Sequence, residues 1–166
     1  MVDLKPLSRE AIARALEKAE RYRLLNEPGE AESICLDVLQ IEPDNQDALV
    51  MLVLALTDQF PHQPSPGLAS RADDYIRLLS DPYEREYYAG IVRERRAKAA
   101  LLRDSFHASA SAAGWLHEAL ACFERAQTLK PAHNDDAVLR WNACARLLQG
   151  LPQVAVDTHA EPIESE

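Results

Sequence analysis

Glycine is in short supply: five residues among 166, none in the spacing that cradles a phosphate, which excludes a P-loop or a dinucleotide fingerprint. Basic charge is short as well. Eighteen Lys and Arg against 27 Asp and Glu give a formal net charge of -9 and a pI near 5.0. A phosphate backbone or an anionic membrane would be repelled by such a chain unless its cations were gathered on one face, so neither nucleic acid nor membrane is expected as a partner. Long apolar runs are missing too. Ala48 to Leu56 is the only extended one, and its nine residues fall well short of the roughly 20 needed to span a bilayer. Met1 to Glu10 carries Asp3, Lys5, Arg9 and Glu10 without an apolar core, so no secretory signal is expected there and the cytoplasm is the default location.

Chemistry-bearing clusters are equally sparse. The three cysteines, Cys35, Cys122 and Cys144, are odd in number, form no ligand-like group and sit where small apolar residues are wanted, which points to packing. His62, His107, His117, His133 and His159 show no zinc spacing. Ser109, Ser111 and Gly114 lie in an Ala- and Ser-rich stretch rather than a strand-to-helix elbow, so no hydrolase nucleophile is indicated. The reading is therefore of a chain that is not an enzyme and carries no cofactor.

What the sequence does contain is a repeat. Ala31, Cys35, Val38 and Pro43 recur at the same offsets as Ala119, Phe123, Ala126 and Pro131. Small or apolar residues at 0, 4 and 7 trim one helical face for close packing, and proline stops the helix. Such a unit cannot bury its apolar face alone and must stack on copies of itself.

Pattern and punctuation predict seven helices in one domain spanning residues 8–150, after a short extension at 1–7. The first starts at the N-cap candidate Ser8 and ends at Asn26, Pro28 and Gly29. The second runs from Glu30 to Ile41, and the third from Ala48 to Thr57, capped by Asp44 or Asn45. The third is apolar nearly all round and must be covered on several sides. Residues 57–67, with Pro61, Pro64 and Pro66, read as an insertion. A fourth helix is expected from Leu68 to Ser80, stopped by Pro82, and a fifth from Tyr83 to Arg103. Ser105 to Gly114 reads as a turn, Trp115 to Leu129 as the sixth helix, and Ala137 to Leu148 as the seventh, capped by Asn134, Asp135 or Asp136. Residues 151–166 carry Asp157, Glu161, Glu164 and Glu166 with no Lys or Arg, and are expected to be a disordered acidic tail.

Ala119, Phe123, Ala126 and Pro131 meet every term of the second-helix pattern of the tetratricopeptide repeat family, and over residues 10–149 the chain resembles that family. Tyr22 falls at its first-helix aromatic, and Ala89 with Gly90 resembles its Ala-Gly pair. The middle unit departs from the pattern, with Asp74 where an aromatic belongs. The resemblance implies an all-α, right-handed superhelix of about three antiparallel helix pairs plus a terminal capping helix. It also implies a concave groove lined by the first helices, holding a peptide or helix of another protein. The family's carboxylate clamp is absent, since its positions read Leu16, Glu20, Val50 and Leu54.

Within that expected groove the candidates are Tyr87, Ile91, Arg95, Arg96 and Asn142. Arg93, Arg95, Arg96, Lys98 and Arg103 form the one dense basic cluster. Arginine forks suit a carboxylate or an acidic segment. Neutralisation by Glu84, Glu86, Glu94, Asp73 and Asp74 within the chain is the alternative, and docking of the acidic tail in cis a third. Trp141 is read as packing on helix six or as a contact for a partner. An interaction module, adaptor or scaffold, is the leading expectation. A secretion-type chaperone of the same fold and a self-assembling homodimer are the alternatives.

Overall fold

Proline sets where helices begin as often as where they end. In the computed structural model, which describes residues 2–63, 65–103 and 108–152, Pro28, Pro66 and Pro82 each occupy the first position of a helix. An amide N–H is unneeded there and the fixed φ of proline is already helical. The described residues form a short 3-10 turn, Arg9–Ala11, and seven α-helices: α1 Ile12–Leu24, α2 Pro28–Ile41, α3 Gln46–Asp58, α4 Pro66–Ile76, α5 Pro82–Leu101, α6 Ala108–Leu129 and α7 Asp136–Gly150. No strand occurs among them, and the fold is all-α.

Three expectations are corrected by these boundaries. Pro28 and Gly29 open α2 rather than close α1, which instead breaks at Asn26, held in the left-handed region at φ 60. Pro82 opens α5, while α4 has already ended at Ile76. Residues 108–114 are not a turn but early turns of α6; the remaining part of that expected turn, 105–107, lies outside the described residues. Alanine is the strongest helix former, and the stretch carries four alanines, of which Ala112 has no exposed surface while Ala110, Ser111 and Gly114 face outward.

Side chains cap the starts of α3, α4 and α5. Asn45 Oδ1 accepts from the amide of Ala48 at 2.9 Å, Ser65 Oγ from Gly67 at 3.2 Å and Asp81 Oδ1 from Tyr83 at 2.9 Å. Ahead of α7, Asn134 Oδ1 accepts from Asp136 at 2.9 Å. Ser8 caps with its backbone only.

Each helix lies against the next, and the odd-numbered ones also meet in order, α1 on α3 and α3 on α5. Helix α3 therefore touches α1, α2, α4 and α5, and Ala48, Leu49, Leu52, Val53, Ala55 and Leu56 are wholly buried, as its all-round apolarity required. One core gathers Ala19, Ala31, Cys35, Leu49, Leu52 and Leu56; a second gathers Ile91, Leu116, Phe123, Ala126, Ala137 and Cys144 between α5, α6 and α7. No helix among the described residues is long and apolar enough to cross a membrane. The acidic stretch from 153 onward lies outside the described residues.

Candidate functional site

Helix α5 runs between the two cores, and its basic cluster is divided by the helical turn into two sets with different surroundings. Arg93, Arg95 and Lys98 are engaged within the chain. Arg93 pairs with Asp73 on α4 and lies 3.9 Å from Glu118. Lys98 pairs with Glu94 one turn earlier. Arg95 pairs with Asp58 while donating to Thr57 Oγ1 at 2.7 Å and to the Leu54 carbonyl at 3.2 Å, so it closes the C-terminal end of α3. Asp58 also receives Arg23 Nε from α1 at 2.7 Å. One carboxylate thus holds a cation from each neighbouring odd-numbered helix. Burial, the largest influence on Arg95, pulls its pKa below the ordinary value, with Asp58 opposing.

Glu94 is the deepest charge in the fold, 1% exposed, with Oε1 accepting from Lys98 and from Arg140 Nη1 of α7 at 3.3 Å. Its Oε2 is buried without a hydrogen-bond partner among the described residues. Nearby Cys144 has its thiol pushed up to about 12, first by burial and then by the Glu94 charge. Of the carboxylates expected to neutralise the basic cluster, Asp73 and Glu94 do so. Glu86 instead pairs with Arg125 at 2.9 Å and Asp74 with Arg77.

The five candidates do not share one surface. Ile91 is 2% exposed and packed in the second core, so it offers nothing to a partner; this corrects its expected place in the groove. Tyr87 is half-buried, its ring stacked on Tyr83 at 5.7 Å and tilted against Phe123 at 5.9 Å. Arg96, adjacent to Arg95 but about 100° round the helix, points to the α6 side and lies over the Trp115 ring at 3.5 Å. Asn142 is half-buried on α7. Only Arg95 reaches the concavity formed by the odd-numbered helices. Trp141 packs against the second core and donates Nε1–H to Glu124 at 3.1 Å, in line with its packing reading.

That concavity, about 350 Å³, opens where the last turns of α1, α3 and α5 come together. Its floor carries Arg23, Asp58 and Arg95, with Lys98 alongside. Leu24 and Leu102 stand at its walls, 83% and 71% exposed. Arg23 and Asp58 went unnoticed in the sequence, yet a signal existed: the paired residues are separated by 35 and then 37 positions. Those spacings are close to one repeat of about 34. Among the described residues no three His, Cys, Asp or Glu side chains converge as a metal site would require. Comparison with family models, with curated proteins and with solved structures finds no match to this chain.

Proposed function

We propose that this chain is a tetratricopeptide-like binding module, whose odd-numbered helices form a trough that holds a peptide or helical segment of another protein. The observation that supports this reading most is the Arg23–Asp58–Arg95 chain, which joins one position from each of three successive odd-numbered helices at repeat-like spacing. Equivalent positions lining up side by side are what a helical-pair array produces. The trough above that chain combines exposed leucines with a polar floor, the mixture used to seat an amphipathic segment. An acidic surface with no lipid-spanning helix among the described residues is consistent with a protein partner.

Capture of partners from the source lysate, with the native chain and a Leu24→Asp/Leu102→Asp double variant as baits, tests the reading. Both leucines are exposed, so the variant keeps its fold, checked by circular dichroism. The expected result is a small set of proteins held by the native bait and lost by the variant. Identical sets from both baits would remove the trough as the binding surface. Light scattering on both separates self-assembly: a dimer that falls apart in the double variant would make a second copy of the chain the occupant.

A further inference from the structure

We propose that the concavity between α4, α5 and α6 is an oxyanion site for a small phosphate-bearing molecule, gripped by Arg96 and Arg103. This cavity is separate from the trough, on the flank of α5 that faces α4 and α6, and encloses about 360 Å³. That is within the range of small-molecule sites, about 300–1,000 Å³. In a chain carrying nine more negative than positive charges, the charged side chains lining it among the described residues are two arginines and no carboxylate.

Arg96 and Arg103 are seven positions apart, two helical turns, and so share one face of α5. They are also the two members of the basic cluster whose side chains form no ion pair and no hydrogen bond with another described side chain or backbone group. The carboxylates nearest Arg96, Asp73 and Glu118, face Arg93 instead. Arg96 is half-buried, and its guanidinium carbon sits over the Trp115 ring, 3.5 Å from the centroid, a distance that suits stacking. Stacking occupies the faces of the plane and leaves the N–H edges, which are the groups that recognise an oxyanion in a two-pronged manner. A guanidinium held in that way, partly out of water and without an acceptor among the described residues, is preorganised for one.

Two hydroxyls add to the donors. Ser65 Oγ already accepts from the Gly67 amide, so its own proton is free to be given, and Ser111 lines the opposite side. Two arginine forks and two hydroxyls exceed what the two oxygens of one carboxylate accept, whereas a phosphate ester presents three terminal oxygens. Ala69, Ala99, Ala100 and Ala108 form a shallow apolar lining against which the organic part of the ligand rests. The net charge of the chain favours a small anion over a long polyanion.

Titration calorimetry with sodium pyrophosphate, at low ionic strength and against matched sodium chloride, tests the site. The expected result is saturable binding that chloride does not reproduce, weakened about tenfold or more by Arg103→Gln and by Arg96→Lys, each removing one two-pronged contact. Arg77→Gln, an exposed arginine paired with Asp74, serves as control and leaves binding unchanged. Arg103 is exposed, so its variant folds normally. Absence of saturable heat, or equal affinity in the Arg103 variant, overturns the site. Citrate binding as tightly as pyrophosphate overturns the assignment to phosphate.

Discussion

A β-carbon added to Gly90 would lie 2.5 Å from Cε1 of Phe123, so α5 and α6 approach as closely as they do because position 90 has no side chain. Phe123 itself is wholly buried, and its ring meets Tyr87. Gly90→Ala is therefore expected to cost about 1–3 kcal/mol or more, since the clash falls on a ring that is packed on every side. Phe123→Ala removes the largest wholly buried side chain among the described residues and is expected to cost about 3–5 kcal/mol. Urea unfolding measures both. The pair Gly90→Ala with Phe123→Leu should cost less than the two changes summed, because the smaller side chain relieves the contact. Strict additivity would mean that the two residues do not define the helix spacing.

Arg95 and Arg96 are neighbours in sequence whose loss is expected to cost unequal amounts. Arg95→Ala takes one donor from the Thr57 hydroxyl, which still donates to the Leu54 carbonyl at 2.9 Å, and halves the cation pairing of Asp58, at an expected cost of about 1–3 kcal/mol. The figure is held down because the Arg95 side chain keeps a quarter of its surface in water. Arg96→Ala loses one contact with Trp115, about 1 kcal/mol or less. Melting curves of the two variants side by side check this. Charge reversal at Arg95 is consequently a poor probe of recognition, because it loosens the joint between α3 and α5.

The buried thiols set a pH limit. Cys35 and Cys144 are pushed up to about 12, and burial is the largest cause in each. A thiol whose folded pKa exceeds its unfolded value, near 9, stabilises the fold fully below pH 9. That contribution declines as pH rises from about 9 to about 12, because only the unfolded chain can release the proton. Each of the two thiols then removes up to about 1.4 kcal/mol per pH unit in that window. Unfolding midpoints measured from pH 7 to 11 should be flat at first and fall beyond 9. A Cys35→Ala/Cys144→Ala variant should lose much of that slope, and an unchanged slope would place its origin elsewhere, Tyr88 being the next group raised to about 12 by burial.

Helix count and core composition were legible because they follow from local pattern: apolar periodicity, the cap at Asn45, and the small residues Ala31, Ala119 and Ala126, all three wholly buried. Boundaries at proline were not, since the same residue stops one helix at Pro43 and starts another at Pro82. Residues 108–114 were misread because small residues signal a loop in one setting and a helix in another. The site was less legible than the fold. Ile91 sits on the same helix as Arg95, but one turn is enough to carry it from the trough into the core. The partners of Arg95 come from other helices, and only a search for charge pairs at the repeat spacing could have found Asp58 and Arg23.

Helix α7 is expected to be required for the fold, for two independent reasons. It brings Trp141, Leu147, Leu148 and Leu151 against the core built on Phe123 and Leu116. Four large side chains, even partly buried, contribute several kcal/mol at about 1.5–3 kcal/mol for each one fully buried, against a total stability of about 5–15 kcal/mol. It also supplies Arg140 to Glu94, whose Oε1 would be left with Lys98 alone and whose Oε2 already lacks a partner among the described residues. A chain ending at residue 134 should lose cooperative melting and associate through the uncovered face, as read by circular dichroism and size-exclusion chromatography. Glu94→Gln in that shortened chain should recover part of the lost helicity by removing the buried charge. If shortening leaves a folded monomer with native melting, α7 does not act as the cover for α5 and α6. If Glu94→Gln changes nothing, the loss is one of apolar burial, and the ion pair with Arg140 has no share in holding α7 in place.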